Sequence, residues 1–252
     1  MRAKQVLNRI IKIIVTIALI AAMAISGYNA LKMQNGYKAG DTVYQEMIAY
    51  KPVEEDIPAD APKEAFVNRK IVELKTDYPD ALGWLTIPYT GIDYPFVQAE
   101  DNSKYLRMDI DGNYAIAGTI FMDCESSADF SDFNTILYGH HMKNGTMFGP
   151  LNSYGKRDFF ETNKNGVVYL EDKTFAVEFF AYLVVKSNNL SAYDSPTDEA
   201  SKIGYNNYIR ENARYYRDIG ASSDDQFITL STCAYEFKDA RMLLVGRLTK
   251  IQ

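Results

Sequence analysis

Side chains able to form a covalent intermediate or move a proton near neutral pH are scarce in this chain. There are two cysteines, Cys124 and Cys233, and two histidines, His140 and His141. The β-prone run Ile228-Thr229-Leu230-Ser231-Thr232 ends on Cys233. A connection follows, Ala234–Ala240, and Arg241 then opens a second apolar run. If those two runs pair as strands, Cys233 and Arg241 meet at one end of a sheet. A guanidinium beside a cysteine favours the thiolate, which is the nucleophilic form. It can equally stabilise negative charge on the oxygen of an attacked carbonyl. The histidines follow Asn134-Thr135-Ile136-Leu137-Tyr138-Gly139, another strand-like run. Imidazole transfers protons well near neutral pH, so one of them can activate the thiol and protonate a leaving amine.

Each residue also has a plainer reading. A cysteine at an apolar strand end is more often a small buried hydrophobe. A loop histidine is usually solvated, and a strand-initial arginine usually reaches to water. A zinc site would need C-x₂₋₄-C or H-x₃₋₅-H spacing, which is missing, so neither a metal nor another cofactor is expected. With only two cysteines there is no disulfide framework, and the domain must rely on its own core.

The elements that would position these residues are legible from Leu82 onward. Strands are expected at Gly83–Ile87, Asp93–Gln98, Gly118–Asp123, Thr135–Gly139, Val167–Glu171, Thr174–Lys186, Gln226–Cys233 and Arg241–Ile251. Gly, Pro, Asn and Asp clusters separate most of them. Eight short strands with few long helices predict a closed or nearly closed β-barrel. One helix should interrupt them, capped by Ser195 with Pro196 at its first position, presenting Tyr205, Ile209, Asn212 and Tyr216 on one face and stopping at Gly220.

Upstream, Lys63–Lys75 carries a helical stripe of Phe66, Val67, Ile71 and Leu74. The run from Glu54 to Pro62 reads as a linker. Asp41 should cap a short helix over Thr42–Tyr50. Ile13 to Leu31 is an uncharged run of 19 residues, about 28 Å as a helix, close to the thickness of a bilayer core. Arg2, Lys4, Arg9 and Lys12 precede it, and no acidic residue occurs before Asp41, so the N-terminus is expected in the cytoplasm. Ala22-Met23-Ala24 offers a signal-peptidase site, but the apolar run continues past it to a spanning length, which favours a retained anchor. Without those four cations, 23 basic residues face 33 acidic ones, a net of −10, which argues against a nucleic-acid partner.

The motifs resemble those of the sortases, and of their class B members in particular. Thr229-Leu230-Ser231-Thr232-Cys233 with Arg241 eight residues on is similar to the active-site strand of that family. Leu137-Tyr138-Gly139-His140-His141-Met142 is similar to its histidine motif. Trp84-Leu85-Thr86-Ile87-Pro88, Ile92–Gln98, Gly118–Asp123 and Gly145-Thr146-Met147-Phe148 fit class B in the same order, as does a helix before the cysteine strand. The resemblance covers about Asp80 to the C-terminus. It implies a mainly β fold, an eight-stranded sortase-type barrel with N-terminal helices.

The resemblance also implies a cysteine transpeptidase with Cys233 as nucleophile, His140 as acid and base, and Arg241 at the oxyanion. Ser231 and Thr232 are expected as substrate contacts. The reaction would cleave an Asn-Pro-x-Thr-like C-terminal sorting signal after its threonine and pass the protein to a peptidoglycan amine. Partners would be surface proteins bearing that signal, the cell-wall stem-peptide amine, and membrane lipid through the anchor. Cys124 is given no role, and Ala234 stands where some relatives have a polar residue. The implied organisation is a cytoplasmic segment 1–12, an anchor 13–31, an extracellular helical and linker region 32–81 and a catalytic barrel 82–252. The rivals are a membrane-tethered binding barrel without chemistry and a hydrolytic cysteine peptidase on the same residues. Protein extracted from membranes is expected to retain residues 1–31, and N-terminal sequencing checks this: a start at Ile25 would mean cleavage after Ala24 and no anchor.

Overall fold

The computed structural model describes residues 2–52 and 66–251. The whole of the linker reading, Glu54 to Pro62, and the first part of the predicted Lys63–Lys75 helix lie outside the described residues. Of its described part, Phe66 and Val67 precede the helix rather than belonging to it, and α2 runs Arg69–Asp77, capped by Asn68, whose side-chain oxygen accepts from the Ile71 amide. Ile71 and Leu74 of the predicted stripe are its buried residues.

The first helix differs from expectation. Instead of an anchor and a separate helix capped by Asp41, α1 runs unbroken over Arg2–Met47. The intervening stretch carries Gly36 and Gly40 but no proline. A glycine costs a helix about 1 kcal/mol, whereas a proline costs about 3 and stops it. Within the N-terminal stretch Lys4–Leu31 an 18-residue window has a mean hydropathy of 2.4, and none of that window is buried against the protein. The C-terminal end docks on the barrel. Tyr44 packs edge-on to Tyr94 at 4.7 Å and donates to the Gly118 carbonyl, and Met47 is buried beside Trp84.

Nine strands follow. They are β1 Ala81–Ile87, β2 Ile92–Val97, β3 Ile120–Met122, β4 Asn134–Tyr138, β5 Asn165–Leu170, β6 Thr174–Lys186, β7 Tyr215–Tyr216, β8 Gln226–Cys233 and β9 Ala240–Lys250. All eight predicted strands are present with shifts of a few residues at their ends. Their order is β5-β1-β2-β3-β4-β8-β9-β6, and β5 pairs with β6 to close the barrel. Two pairings are parallel, β2 with β3 and β4 with β8. The two-residue β7 adds to β6 outside the closed ring.

Several strands are apolar at consecutive positions because both faces are covered. Leu85 points into the barrel core, while its neighbour Trp84 packs under α1 and α2. Two further helices are α3, Arg157–Thr162, and α4, Glu199–Asn212; Ile228 likewise lies in the barrel core, and Phe227 lies beneath α4. A strand buried on both faces loses the alternation that a half-solvated strand shows.

Helix α4 departs from its predicted ends. Its cap is Asp198, which accepts from the Ser201 amide. The Ser195 hydroxyl instead accepts from the Asn134 amide of β4. Tyr205 and Ile209 are buried as expected, but the helix ends at Asn212, well before Gly220. Tyr215 and Tyr216 leave it to pair with Tyr182 and Ala181 of β6, so a spacing that extended the helical face belongs to a strand.

Asn134 ties this region together. It is fully buried, its amide nitrogen donates to the Asp194 carbonyl, and its oxygen accepts from the Thr229 hydroxyl at 2.8 Å. It thus joins β4, β8 and the segment leading into α4. Asn134→Leu is expected to cost roughly 2–3 kcal/mol, because a buried hydroxyl and carbonyl lose partners. A urea midpoint equal to wild type would show that these bonds carry no net stability.

Candidate active site

In a parallel pair, both strands finish at the same end of the sheet. Because β4 and β8 are parallel, with Tyr138 opposite Ser231, the histidines that follow β4 emerge beside the cysteine that ends β8. Strand β9 begins at that same end, antiparallel to β8, with Arg241 directly across from Cys233. Directly opposed residues on antiparallel strands have Cβ atoms about 5 Å apart. Cys233 and Arg241 are both half-buried. They open, with His140, onto one cleft of about 770 Å³, which Ser231 and Thr232 also line.

Arg241 donates to the neighbouring Ala240 carbonyl, and among the described residues no carboxylate bridges it. A half-buried guanidinium without a counter-charge, facing a cleft, is poised to meet an anion that arises there.

The two histidines are held differently. His140 Nε2 lies 2.7 Å from the main-chain oxygen of Leu106. A carbonyl only accepts, so Nε2 carries the proton and Nδ1 is the basic nitrogen of the neutral ring. Burial depresses the His140 pKa. The Leu106 carbonyl opposes that shift, and the charge of Arg107 adds to it. Burial therefore favours the neutral ring of His140 over the imidazolium. His141 Nδ1 lies 2.9 Å from the Cys233 carbonyl, so its ring turns to the main chain of Cys233 and does not line the cleft.

Ser231 and Thr232 are both buried, and each already has a partner. Ser231 shares a hydrogen bond of 2.9 Å with the Tyr193 hydroxyl. Thr232 donates to the Gly139 carbonyl at 2.7 Å, fastening β8 to the end of β4. Cys124 is free, as is Cys233, and its amide donates to Asn102 beside the cleft.

Sequence reading missed two contributors. Leu106 acts through its backbone, for which its side chain gives no signal. Tyr193 is one of 19 tyrosines, and nothing local distinguishes it. Its hydroxyl reaches Ser231, and its pKa is raised by burial; the Ser231 hydrogen bond and the charge of Arg241 oppose that rise, while Cys233 adds to it. Asp123 adds a polar floor, accepting from Tyr138 and Asn102. Among the described residues no cluster of three or more metal-ligating side chains occurs.

A family model for the sortase domain matches residues 85–249. The chain is 34% identical over 187 residues to sortase B of Listeria monocytogenes, covering 72% of this chain and 75% of that one. It is 28% identical to sortase B of Staphylococcus aureus over the full length of both. Among solved structures, sortase B of Bacillus anthracis in complex with AAEK1 superposes with a TM-score of 0.74 at 28% identity, covering 85% of this chain and 98% of that one. Sortase B of Clostridium perfringens gives 0.67 at 30% identity, covering 71% and 98%.

This chain belongs to the sortase family, the cysteine transpeptidases of the bacterial cell surface. Within it, the curated relatives and solved neighbours place the chain with the class B enzymes.

The partly buried His140, whose charged form is disfavoured, makes stability depend on pH. Its folded pKa lies below the unfolded value of about 6.5, so between the two the unfolded chain binds more protons. Stability is fully present above that unfolded value and is lost as pH falls toward the folded one. The urea midpoint is expected to drop from about pH 7 to about pH 5. The drop should be smaller in His140→Gln. An identical pH profile in that variant would show that His140 does not drive the change.

Proposed function

We propose that this enzyme cleaves an Asn-Pro-x-Thr-like sorting signal after its threonine and transfers the protein to a peptidoglycan amine. The observation that carries this reading is the meeting of Cys233, an un-neutralised Arg241 and His140 at one end of the barrel. Cys233 Sγ gives its proton to His140 and attacks the threonine carbonyl carbon. The carbonyl oxygen becomes an anion and is met by the Arg241 guanidinium. The C–N bond then breaks, His140 returns the proton to the leaving amine, and a thioester remains on Cys233. An acceptor amine attacks that thioester, its proton passes to His140, and the C–S bond breaks to release the joined product. The thiol is restored, and atoms and charge balance without a metal or redox partner.

Ser231, Thr232 and Tyr193 belong to the wall against which the signal would lie. The bare apolar face of α1 suits a membrane-spanning anchor. The basic residues before it suit an N-terminus in the cytoplasm, with the barrel outside.

Cys233→Ala should form no acyl-enzyme. Arg241→Lys keeps the charge but loses the planar fork of donors, and should lower kcat about 10²–10³-fold. Peptide cleavage, with mass spectrometry of the acyl-enzyme and of the product ligated to an added amine, checks both. Near-normal cleavage by Arg241→Lys would refute the oxyanion role, and hydrolysis that an added amine never diverts would refute transfer.

A further inference from the structure

We propose that His141 is a positioning residue: its Nδ1–H holds the carbonyl of Cys233 and so fixes the direction in which the nucleophile points. This rests on the transpeptidase reading and concerns a residue that the reading leaves without a role.

The ladder between β4 and β8 shows why the contact is there. The Gly139 amide donates to the Ser231 carbonyl at 3.2 Å. In a parallel ladder the next bond falls two residues further on each strand, which would join the amide of residue 141 to the carbonyl of Cys233. The chain leaves the sheet at that point, and the backbone of His141 pairs instead with Met147. The imidazole of the same residue supplies the missing donor, with Nδ1 at 2.9 Å from the Cys233 oxygen. Tyr235 packs against the ring, with centroids 5.0 Å apart, and holds it there.

The peptide group that follows Cys233 is consequently held on both sides. Its nitrogen, that of Ala234, donates to the Ala240 carbonyl on β9 at 2.9 Å. Its oxygen accepts from His141. Beyond it the chain enters the exposed stretch from Tyr235 to Asp239. Without His141, the peptide group that follows the nucleophile is bonded to β9 alone. Displacements well under the width of an atom are costly at a reacting centre, because attack requires a near-attack geometry of about 3–3.5 Å.

The two adjacent histidines are thus locked in opposite tautomers by two main-chain oxygens. His140 carries its proton on Nε2 and His141 on Nδ1. They are the only histidines in the chain, so an untagged, ¹⁵N-labelled protein gives two ring systems to read.

Two measurements test the proposal. Long-range ¹H–¹⁵N spectra, taken where both rings are neutral, should show one ring protonated at Nε2 and one at Nδ1. The second should vanish in His141→Ala. Two Nε2–H rings in the wild type would overturn the contact. Kinetically, His141→Ala should lower kcat for signal-peptide cleavage about tenfold, the scale of one neutral hydrogen bond, with KM within about twofold. His141→Asn places an amide N–H the same number of bonds from Cα as Nδ1, and should return kcat to within about threefold of wild type. Equal rates in the alanine and asparagine variants would overturn the positioning role. A wild-type protein that cleaves no signal peptide would sink the assigned reaction instead, and the tautomer spectrum would still decide the His141 contact.

Discussion

Strand β8 is bonded in parallel to β4 on one side and antiparallel to β9 on the other, and this double pairing decides where chemistry can occur. A parallel neighbour brings a second strand end to the site, and an antiparallel neighbour brings a strand beginning. The end of β4 delivers the histidines, and the start of β9 delivers the arginine. His140, distant in sequence, therefore converges with Cys233 and Arg241 without any long loop having to fold inward. Shifting β8 by one residue against β9 would turn Cys233 away from its partners, because neighbouring side chains point to opposite faces.

That register is secured by packing and by buried polar bonds together. Ile228, Leu230, Met242 and Leu244 fill the barrel, while Phe227, Leu243 and Val245 lie beneath α4. Sliding either strand would place large apolar side chains where smaller or polar ones now sit. Thr232 on Gly139 and Thr229 on Asn134 add bonds whose loss inside the protein is costly. The same burial that builds the cleft disfavours the charged form of His140. In the reaction proposed for it, His140 has to accept a proton before it can give one back. Holding that proton costs more in a buried setting than in water, so the ring readily returns it.

Legibility from sequence followed the periodicity of each element. The eight barrel strands were readable because turn residues separate runs of β-branched and aromatic side chains. The Cys233–Arg241 pairing followed from two strands joined by a short connection. The helix ends were less readable. Ser195 and Pro196 carry a convincing start signal, yet the Ser195 hydroxyl is engaged by β4, and Asp198 does the capping. Tyr216 continues a helical spacing but pairs with β6. Asp41 looks like a cap, but nothing before it stops α1. In each case a distant strand or an uninterrupted helix outweighed a local preference of about 1 kcal/mol. Within the site, Leu106 was illegible in principle, since every residue carries the same carbonyl. Tyr193 was illegible in practice, since its place depends on how the segment before α4 crosses the cleft.

The reliance of His140 on the oxygen of Leu106 bears on how this enzyme tolerates change. The leucine side chain is 41% exposed, and the contact uses none of its atoms. Position 106 can therefore vary in identity while the imidazole stays oriented, and an alanine scan would pass over it in silence. The path of the chain between β2 and β3 is the property under constraint. A residue inserted or deleted there would move the oxygen and release the ring, although every side chain credited with chemistry remained in place.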